Sequence, residues 1–269
     1  MARSSCPIGP CPTVLAQLLV QRIAVSEMTS KDKLFYALAA TFAAAVSYTI
    51  WTIFMHTPTA QAAAGGLAQK IFYFHVGVAM GIYVTGGACF LASALYLVRP
   101  SEAANAWARA GSDCAALFGT LVLCSGPLWA KKAWGVYWVW DPQLTTLLLS
   151  VLVYWAICLL RAFAGDGGAE RRFAAALGVM GTVNLPIIYF SVQKWGGNHP
   201  NVTREGGGGL DPSMKPAFLW GVISMTVLLP PLLLCLRSRL AMLQASLERT
   251  WQEALARGLV DSGDDLDAP

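Results

Sequence analysis

The 269-residue chain is 56% hydrophobic and 13% charged, with a formal net charge of +4 and a mean hydropathy of +0.52. Soluble globular domains carry about 25% charged residues, so the composition excludes an ordinary soluble fold. The apolar residues fall into blocks of about 20, the length that a helix needs to cross about 30 Å of hydrocarbon. None of the blocks alternates as a barrel strand does. The sequence therefore predicts an all-α, polytopic membrane protein.

Six apolar blocks predict six transmembrane helices. The third block is the least regular, because Asp113 lies near its start and glycine and proline lie near its end. Proline and glycine are tolerated in membrane helices where neighbouring helices cover the exposed backbone. In chain order the predicted helices are Leu34–Met55, Ile71–Val98, Ala110–Ala130, Leu144–Leu160, Phe173–Val192 and Ala217–Leu236.

The basic residues orient these helices in the lipid bilayer. With six spans both termini lie on one side, and 13 of the 19 Lys and Arg residues fall on that side. Because basic loops stay in the cytoplasm, both termini are predicted to be cytoplasmic. The loops after the first, third and fifth helices then face outward. The positive net charge reflects this topology and gives no reason to expect a nucleic-acid partner.

The chain divides into three predicted regions. Residues 1–30 form an N-terminal tail that could be absent from the mature protein, because Met28 offers a second translation start. Residues 31–240 form the six-helix membrane domain. Residues 241–269 combine an acidic end with a cytoplasmic amphipathic helix, in which Leu243, Leu247 and Trp251 recur at helical spacing.

The outward loop after the third helix is unusually aromatic. Four of the ten tryptophans fall within twelve residues, and Tyr137 lies among them: Trp129, Trp134, Trp138 and Trp140. An aromatic belt at the membrane interface explains one or two of these rings. Flanking Lys131 and Lys132 favour instead a surface for a flat aromatic ligand with carboxylates, such as a porphyrin. At this point both interpretations stay open. Asp141 followed by proline predicts a helix N-cap that fixes where the loop joins the fourth helix.

All three histidines lie on the predicted outward side. His56 ends the first helix, His75 lies about one turn inside the second, and His199 is in the loop before the sixth. Taken singly, His75 is explained by a hydrogen bond to a neighbouring helix and His199 by an ordinary loop. Neutral imidazole is, however, the usual protein ligand of haem iron. His75 and His199 beside the indole surface therefore predict a bis-His haem site, and His56 is predicted to be interfacial.

These residues carry a family resemblance. The segment from Trp134 to Thr145 resembles the tryptophan-rich WWD signature of the haem-handling proteins of cytochrome c maturation. Over residues 30–240 the chain is similar to the CcmC family, the haem-delivery component. The Phe-His-Val stretch at His75 and the segment from Asn184 to Trp195 extend the likeness.

The resemblance implies a non-covalent haem b held on the periplasmic face of the bacterial inner membrane. It implies that His75 and His199 are the axial iron ligands. It also implies an acceptor, a periplasmic haem chaperone, and a complex with ABC transporter subunits and a small membrane subunit. The expected haem-presenting surface consists of Trp129, Trp134, Tyr137, Trp138, Trp140, Asp141 and Trp195.

The chain departs from the family pattern at three places. Tyr137 stands where many members have a further tryptophan, and Gln143 replaces a basic residue common after the signature. The stretch from Lys194 to His199 also differs from the usual Trp-Trp-x-x-Leu-His. The match to the family pattern is therefore closer at His75 than at His199, and no propionate contact is expected at Gln143.

Haem delivery without bond-making is the predicted function, so the chain is not expected to be an enzyme. The alternative is a subunit of a cytochrome c synthetase, although synthetase relatives are longer and use additional histidines. A redox b-type cytochrome would favour histidine pairs within helices, and only His75 is intramembrane. A non-haem transporter would show midplane ionisable residues, and beyond His75 and Asp113 none is evident. The sequence has no Cys-x-x-Cys-His, so covalent haem on this chain is not expected.

Overall fold

A computed structural model of the chain describes residues 29–61, 65–164, 167–196 and 210–257. All regular secondary structure in these ranges is helical. Six of the described segments are long and apolar enough to cross a membrane. The predicted all-α polytopic fold is confirmed.

The helices follow one another in simple order. The first span is α1 (Ser30–Trp51), continued by a π-helical turn at Thr52–His56. The next four spans are α2 (Gln69–Val98, preceded by a 3₁₀ turn at Gly66–Ala68), α3 (Glu102–Ala133), α4 (Pro142–Phe163) and α5 (Gly168–Trp195). The sixth span joins a 3₁₀ turn at Pro212–Met214, α6 (Lys215–Val222), a π-helical segment at Ile223–Leu228 and α7 (Leu229–Ala256).

Side-chain caps define where three helices start. Thr29 and Asp32 form a reciprocal capping box at α1, in which Thr29 Oγ1 accepts from the Asp32 backbone N–H at 3.3 Å. The Ser101 hydroxyl accepts from the backbone N–H of Ala104 at the start of α3. The Asp141 side chain accepts from the backbone N–H of Leu144 at the start of α4. Each cap satisfies a backbone donor that the first helical turn leaves without a partner.

Glycines allow α2 to lie very close to α6. A Cβ atom built on Gly77 would lie 2.7 Å from the carbonyl oxygen of Gly221, and one built on Gly221 would collide with the carbonyl of Tyr73. Thr226 Oγ1, in the π-helical segment, donates to the Gly77 carbonyl at 2.8 Å. Small residues of this kind let helix backbones approach in membranes, where lipid gives no hydrophobic drive to association. The segment of α2 around His75 is thereby fixed.

The third span starts about two helical turns earlier than predicted, at Glu102. Asp113, which made this span look irregular, accepts from Arg237 Nε at 2.7 Å and from Cys158 Sγ at 3.3 Å. This pairing explains how the carboxylate is tolerated in a membrane helix. Arg109 and Arg161 each adjoin the end of a predicted block, and they lie within α3 and α4. The apolar blocks are shorter than the helices, because charged residues occupy the terminal turns of the helices.

The described part of the C-terminal tail is helical, as predicted. The helix α7 runs without interruption to Ala256, and Leu240, Leu243, Leu247 and Trp251 are exposed along it. The acidic end and the first 28 residues lie outside the described residues. The division of the chain into three regions, and the place of the tail helix at the membrane surface, stay predictions.

Candidate functional site

His75 is held by a hydroxyl from the neighbouring helix. It lies on α2 partly buried, and its Nδ1 is 2.8 Å from Ser125 Oγ on α3. The Ser125 hydroxyl is also 2.7 Å from the carbonyl oxygen of Leu121, which can only accept a hydrogen bond. The hydroxyl proton therefore points to Leu121, and Ser125 accepts from the Nδ1–H of the imidazole. In neutral histidine this assignment places the lone pair on Nε2.

This geometry matches the usual arrangement at metal-bound histidines. A ligating histidine commonly donates its second ring N–H to a neighbouring acceptor, which fixes both the tautomer and the orientation of the ring. Ser125 supplies that acceptor to His75. The hydrogen bond to a neighbouring helix that accounts for a lone intramembrane histidine is thus present, and it fixes the orientation of the ring.

Gly126 lies directly against the imidazole. A Cβ atom built on Gly126 would be 3.1 Å from His75 Cε1, so any side chain there would press on the ring. Pro127 follows inside the helix and has no N–H, so the carbonyl of Leu123 loses its helical donor. The Ser-Gly-Pro sequence therefore gives α3 a hydrogen-bond partner for His75 and space for its ring. It also removes one backbone hydrogen bond of α3 beside that ring.

Trp129 links the His75 region to the aromatic loop. It lies one turn beyond Ser125, and its Nε1 donates to Gln69 Oε1 at the start of α2 at 3.0 Å. Gly65, in the left-handed region with φ of 93°, packs against the same indole. The ring of Trp134 meets Trp129 edge-on, with centroids 5.3 Å apart. A continuous set of contacts thus runs from His75 through α3 to Trp134.

The second half of the loop presents another pair of indoles. Trp138 and Trp140 lie with centroids 5.7 Å apart, and Trp140 is 77% exposed. Lys131 Nζ donates to the Gly135 carbonyl at 2.9 Å and lies 5.1 Å from the centroid of the Tyr137 ring, a cation–π contact. Among the described residues the buried Nε1 of Trp138 has no acceptor. A buried indole N–H normally has a partner, so this donor suits an acceptor brought by a ligand.

Asp141 has the predicted N-cap role. Its Oδ1 accepts from the backbone N–H of Leu144 at 2.7 Å, and Pro142 occupies the first position of α4. The residue is buried, and its second carboxylate oxygen has no donor within the described ranges. The cap fixes the chain immediately after Trp140, so it determines how that exposed indole is presented.

The structure brings together only part of the predicted haem surface. Within the described residues the Trp138–Trp140 pair and the Trp129–Trp134 pair share no ring contact with each other. Trp195 ends α5 and is 64% exposed. His199 lies outside the described residues, so its role as second ligand stays a prediction.

His56 ends the π-helical turn after α1, as an exposed side chain. Its ring centroid is 4.2 Å from that of Trp51, and the two rings meet edge-on. Imidazole packed on indole at a helix end is consistent with the interfacial position predicted for His56.

Two residues beside His75 were not singled out from the sequence. Ser125 and Gly126 lie near the end of the third apolar block, where Ser-Gly-Pro is typical of a helix end. Their contact with His75 joins positions 50 residues apart, and no local pattern predicts it. The proline that follows Gly126 is the one feature of the sequence that indicates such a contact. Proline frees a backbone carbonyl in a membrane helix, and nearby polar groups must then satisfy the backbone.

The residues present fit a haem. One imidazole carries its lone pair on Nε2, a buried indole N–H can donate to a propionate, and several exposed aromatic rings can lie against a flat macrocycle. Lys131 and Lys132 add positive charge at the same loop.

Comparison with known proteins identifies the family of this chain. The family model for Heme exporter protein C, CcmC, matches residues 20–253. This chain belongs to that family. The resemblance found in the sequence is thereby confirmed.

Individual relatives match more than half of this chain. Heme exporter protein C of Escherichia coli strain K12 is 33% identical over 193 residues, which is 71% of this chain and 77% of the relative. Heme exporter protein C of Bradyrhizobium diazoefficiens is 36% identical over 165 residues, 61% of this chain and 63% of the relative. A putative cytochrome c biosynthesis ccmC-like mitochondrial protein of Marchantia polymorpha is 30% identical over 156 residues, 57% of this chain and 66% of the relative.

Two variants separate the capping role of Asp141 from direct ligand contact. Asp141→Ala removes the cap and should cost about 1 kcal/mol of stability, seen as a lower Tm in detergent. Asp141→Asn keeps an acceptor and should retain the wild-type Tm and the wild-type haem affinity. If the Asn variant loses haem at an unchanged Tm, the carboxylate itself contacts the ligand and the capping explanation is wrong.

Proposed function

We propose that the protein binds haem b non-covalently at the outward end of α2 and delivers it to a periplasmic haem chaperone for maturation of c-type cytochromes. The observation that carries the proposal is the 2.8 Å hydrogen bond between His75 Nδ1 and Ser125 Oγ, which orients the imidazole at the outward end of α2. Family membership supports it, since relatives bear the names Heme exporter protein C and cytochrome c biosynthesis ccmC-like protein.

In this proposal the two axial iron ligands are His75 and His199. Ser125 holds the proton on Nδ1, so His75 meets the iron as a neutral imidazole. The exposed indoles of the loop lie against the macrocycle, and the Trp138 N–H donates to a propionate. None of these contacts is covalent, so the haem can leave without a bond-breaking step on this chain.

The proposed location is the bacterial inner membrane, with the haem on the periplasmic side. The excess of Lys and Arg on the side of the two termini supports this orientation. His75 and the aromatic loop lie at the opposite ends of their helices from those basic residues. ABC transporter subunits and a small membrane subunit are the partners proposed from the family resemblance.

The ligand assignment predicts a change in the visible spectrum. Purified wild-type protein in detergent should show a Soret band after haem is added, and His75→Ala and His199→Ala should each lower its intensity and shift its position. His56→Ala is the matched control and should leave the spectrum unchanged. Absence of a Soret band in the wild type would refute haem binding, and unchanged spectra in both ligand variants would refute the ligand assignment.

Ser125 predicts a second, quantitative effect. Ser125→Ala removes the acceptor of the Nδ1–H, so the imidazole is less basic and less well oriented, and haem affinity should fall about 10- to 100-fold. Ser125→Thr keeps the hydroxyl and should stay near wild type. The measurements are a haem titration followed at the Soret band and the reduction potential of the bound haem. Equal affinity and potential in the Ala variant would show that Ser125 has no role in positioning His75.

Delivery and synthesis are separated by two reconstitutions. Mixed with haem-loaded protein, a purified periplasmic haem chaperone should acquire the haem, whereas apocytochrome c mixed with this chain alone should acquire no covalent haem. The product is read by denaturing electrophoresis with haem staining. Covalent haem on the cytochrome would favour the synthetase alternative over delivery.

A further inference from the structure

A second polar site lies far from His75, in a cavity of about 360 Å³ between α3, α4 and α7. Asp113, at its centre, is twelve residues before Ser125 on α3, which corresponds to about 18 Å along the helix. The cavity therefore lies in the opposite half of the membrane from the haem site. On the predicted topology that half is the cytoplasmic leaflet, because α3 begins there and α4 ends there.

The lining of this cavity has an excess of positive charge. Three guanidinium groups, those of Arg109, Arg161 and Arg237, surround it, and Asp113 is the one carboxylate among the described residues that line it. Asp113 is already engaged by Arg237 Nε at 2.7 Å. Arg161 Nη1 donates to the neutral amide oxygen of Asn105 at 2.9 Å. Arginine stays charged in proteins, so Arg109 cannot become neutral by losing a proton.

Arg109 is the group on which the inference depends. Its side chain makes no hydrogen bond or ion pair with any residue that the structure describes, although it is partly buried and lines the cavity. Burying a charge without a counter-charge is costly. An anion beside Arg109 would remove that cost.

A simpler explanation is that these arginines extend to the aqueous interface, as long basic side chains near helix ends do. That explanation accounts for the position of the arginines near the helix ends. It does not account for the cavity that continues from them toward the middle of the membrane. The cavity continues from Arg109 along α3 to Leu117, and from Arg161 along α4 to Trp155. Leu117 is 46% exposed and Trp155 is 45% exposed, so both face outward to the hydrocarbon.

The two helices thus share one polarity gradient. In each, the guanidinium lies toward the cytoplasmic end and the apolar side chain lies deeper in the membrane. Trp155 is fixed in this position because its Nε1 donates to Thr120 Oγ1 at 2.9 Å. The gradient matches an amphiphile with an anionic head and a hydrocarbon tail. A small soluble anion would contact the guanidinium groups but not the apolar side chains.

We propose that this cavity binds an anionic phospholipid, with its phosphate at Arg109 and an acyl chain along Leu117 and Trp155. Basic pockets between transmembrane helices on the cytoplasmic side are suited to anionic lipid headgroups. Haem fits the cavity poorly. Histidine is absent from its described lining, and the thiol of Cys158 donates to Asp113 and is therefore protonated.

The test is lipid binding by the full-length protein in detergent, measured by native mass spectrometry and by the increase in Tm. Phosphatidylglycerol should bind and stabilise the wild type more than phosphatidylcholine does. Arg109→Gln should reduce the affinity for phosphatidylglycerol about tenfold, because it removes one charged hydrogen-bond donor. Arg109→Lys keeps the charge without the planar fork and should have an intermediate affinity.

The matched control is Arg99→Gln, which removes the same charge at the exposed end of α2, outside the cavity. It should leave the preference for phosphatidylglycerol unchanged. Equal losses in the Arg99 and Arg109 variants would show a general surface-charge effect and overturn the proposal. So would the absence of any preference in the wild type, or displacement of the lipid by millimolar inorganic phosphate. Haem binding should be unchanged in Arg109→Gln, so failure here is distinct from failure of the haem proposal.

Discussion

The contact between α2 and α3 is the constraint on which the candidate haem site depends. On one side of α2, Ser125 binds the His75 ring and Gly126 leaves space for it. On the other side, Gly77 and Gly221 bring α6 against the same stretch of backbone. Lipid is as apolar as the helix surfaces, so helices associate in a membrane through close packing and hydrogen bonds. Small residues on both sides of α2 supply the packing, and the imidazole is fixed as a result.

The polar groups of the bundle are few, and they differ between its outward half and the opposite half. In the outward half His75 is hydrogen-bonded to the neutral hydroxyl of Ser125, and indoles occupy the loop. In the opposite half a carboxylate and three guanidinium groups meet between α3, α4 and α7. In each half polar side chains form hydrogen bonds from one helix to another, which is favourable in hydrocarbon. A flat, mostly apolar ligand suits the first half, and an anionic head with a hydrocarbon tail suits the second.

The sequence predicts those features that are determined by residues near one another in the chain. Six spans follow from the lengths of the apolar blocks, and the cap at Asp141 follows from its neighbour Pro142. The partners of His75 and Asp113 do not follow, because Ser125 is 50 residues from His75 and Arg237 is 124 residues from Asp113. Only the packing of the helices reveals them. Asp113 appeared to weaken the third span for the same reason, since its counter-charge lies on another helix.

A protein that delivers haem, as we propose for this chain, must hold its cargo and also release it, and the geometry of the aromatic loop suits both. The loop is tied at one end by Lys131 to the Gly135 carbonyl and at the other by the Asp141 cap. Between these points Trp140 stays 77% exposed. If haem is seated as proposed, the rings that contact it are already in place, and an acceptor can approach without rearrangement of the loop. An enclosed pocket would retain haem more tightly, but it would have to open before each transfer. Anchored ends with an exposed centre therefore favour transfer over storage.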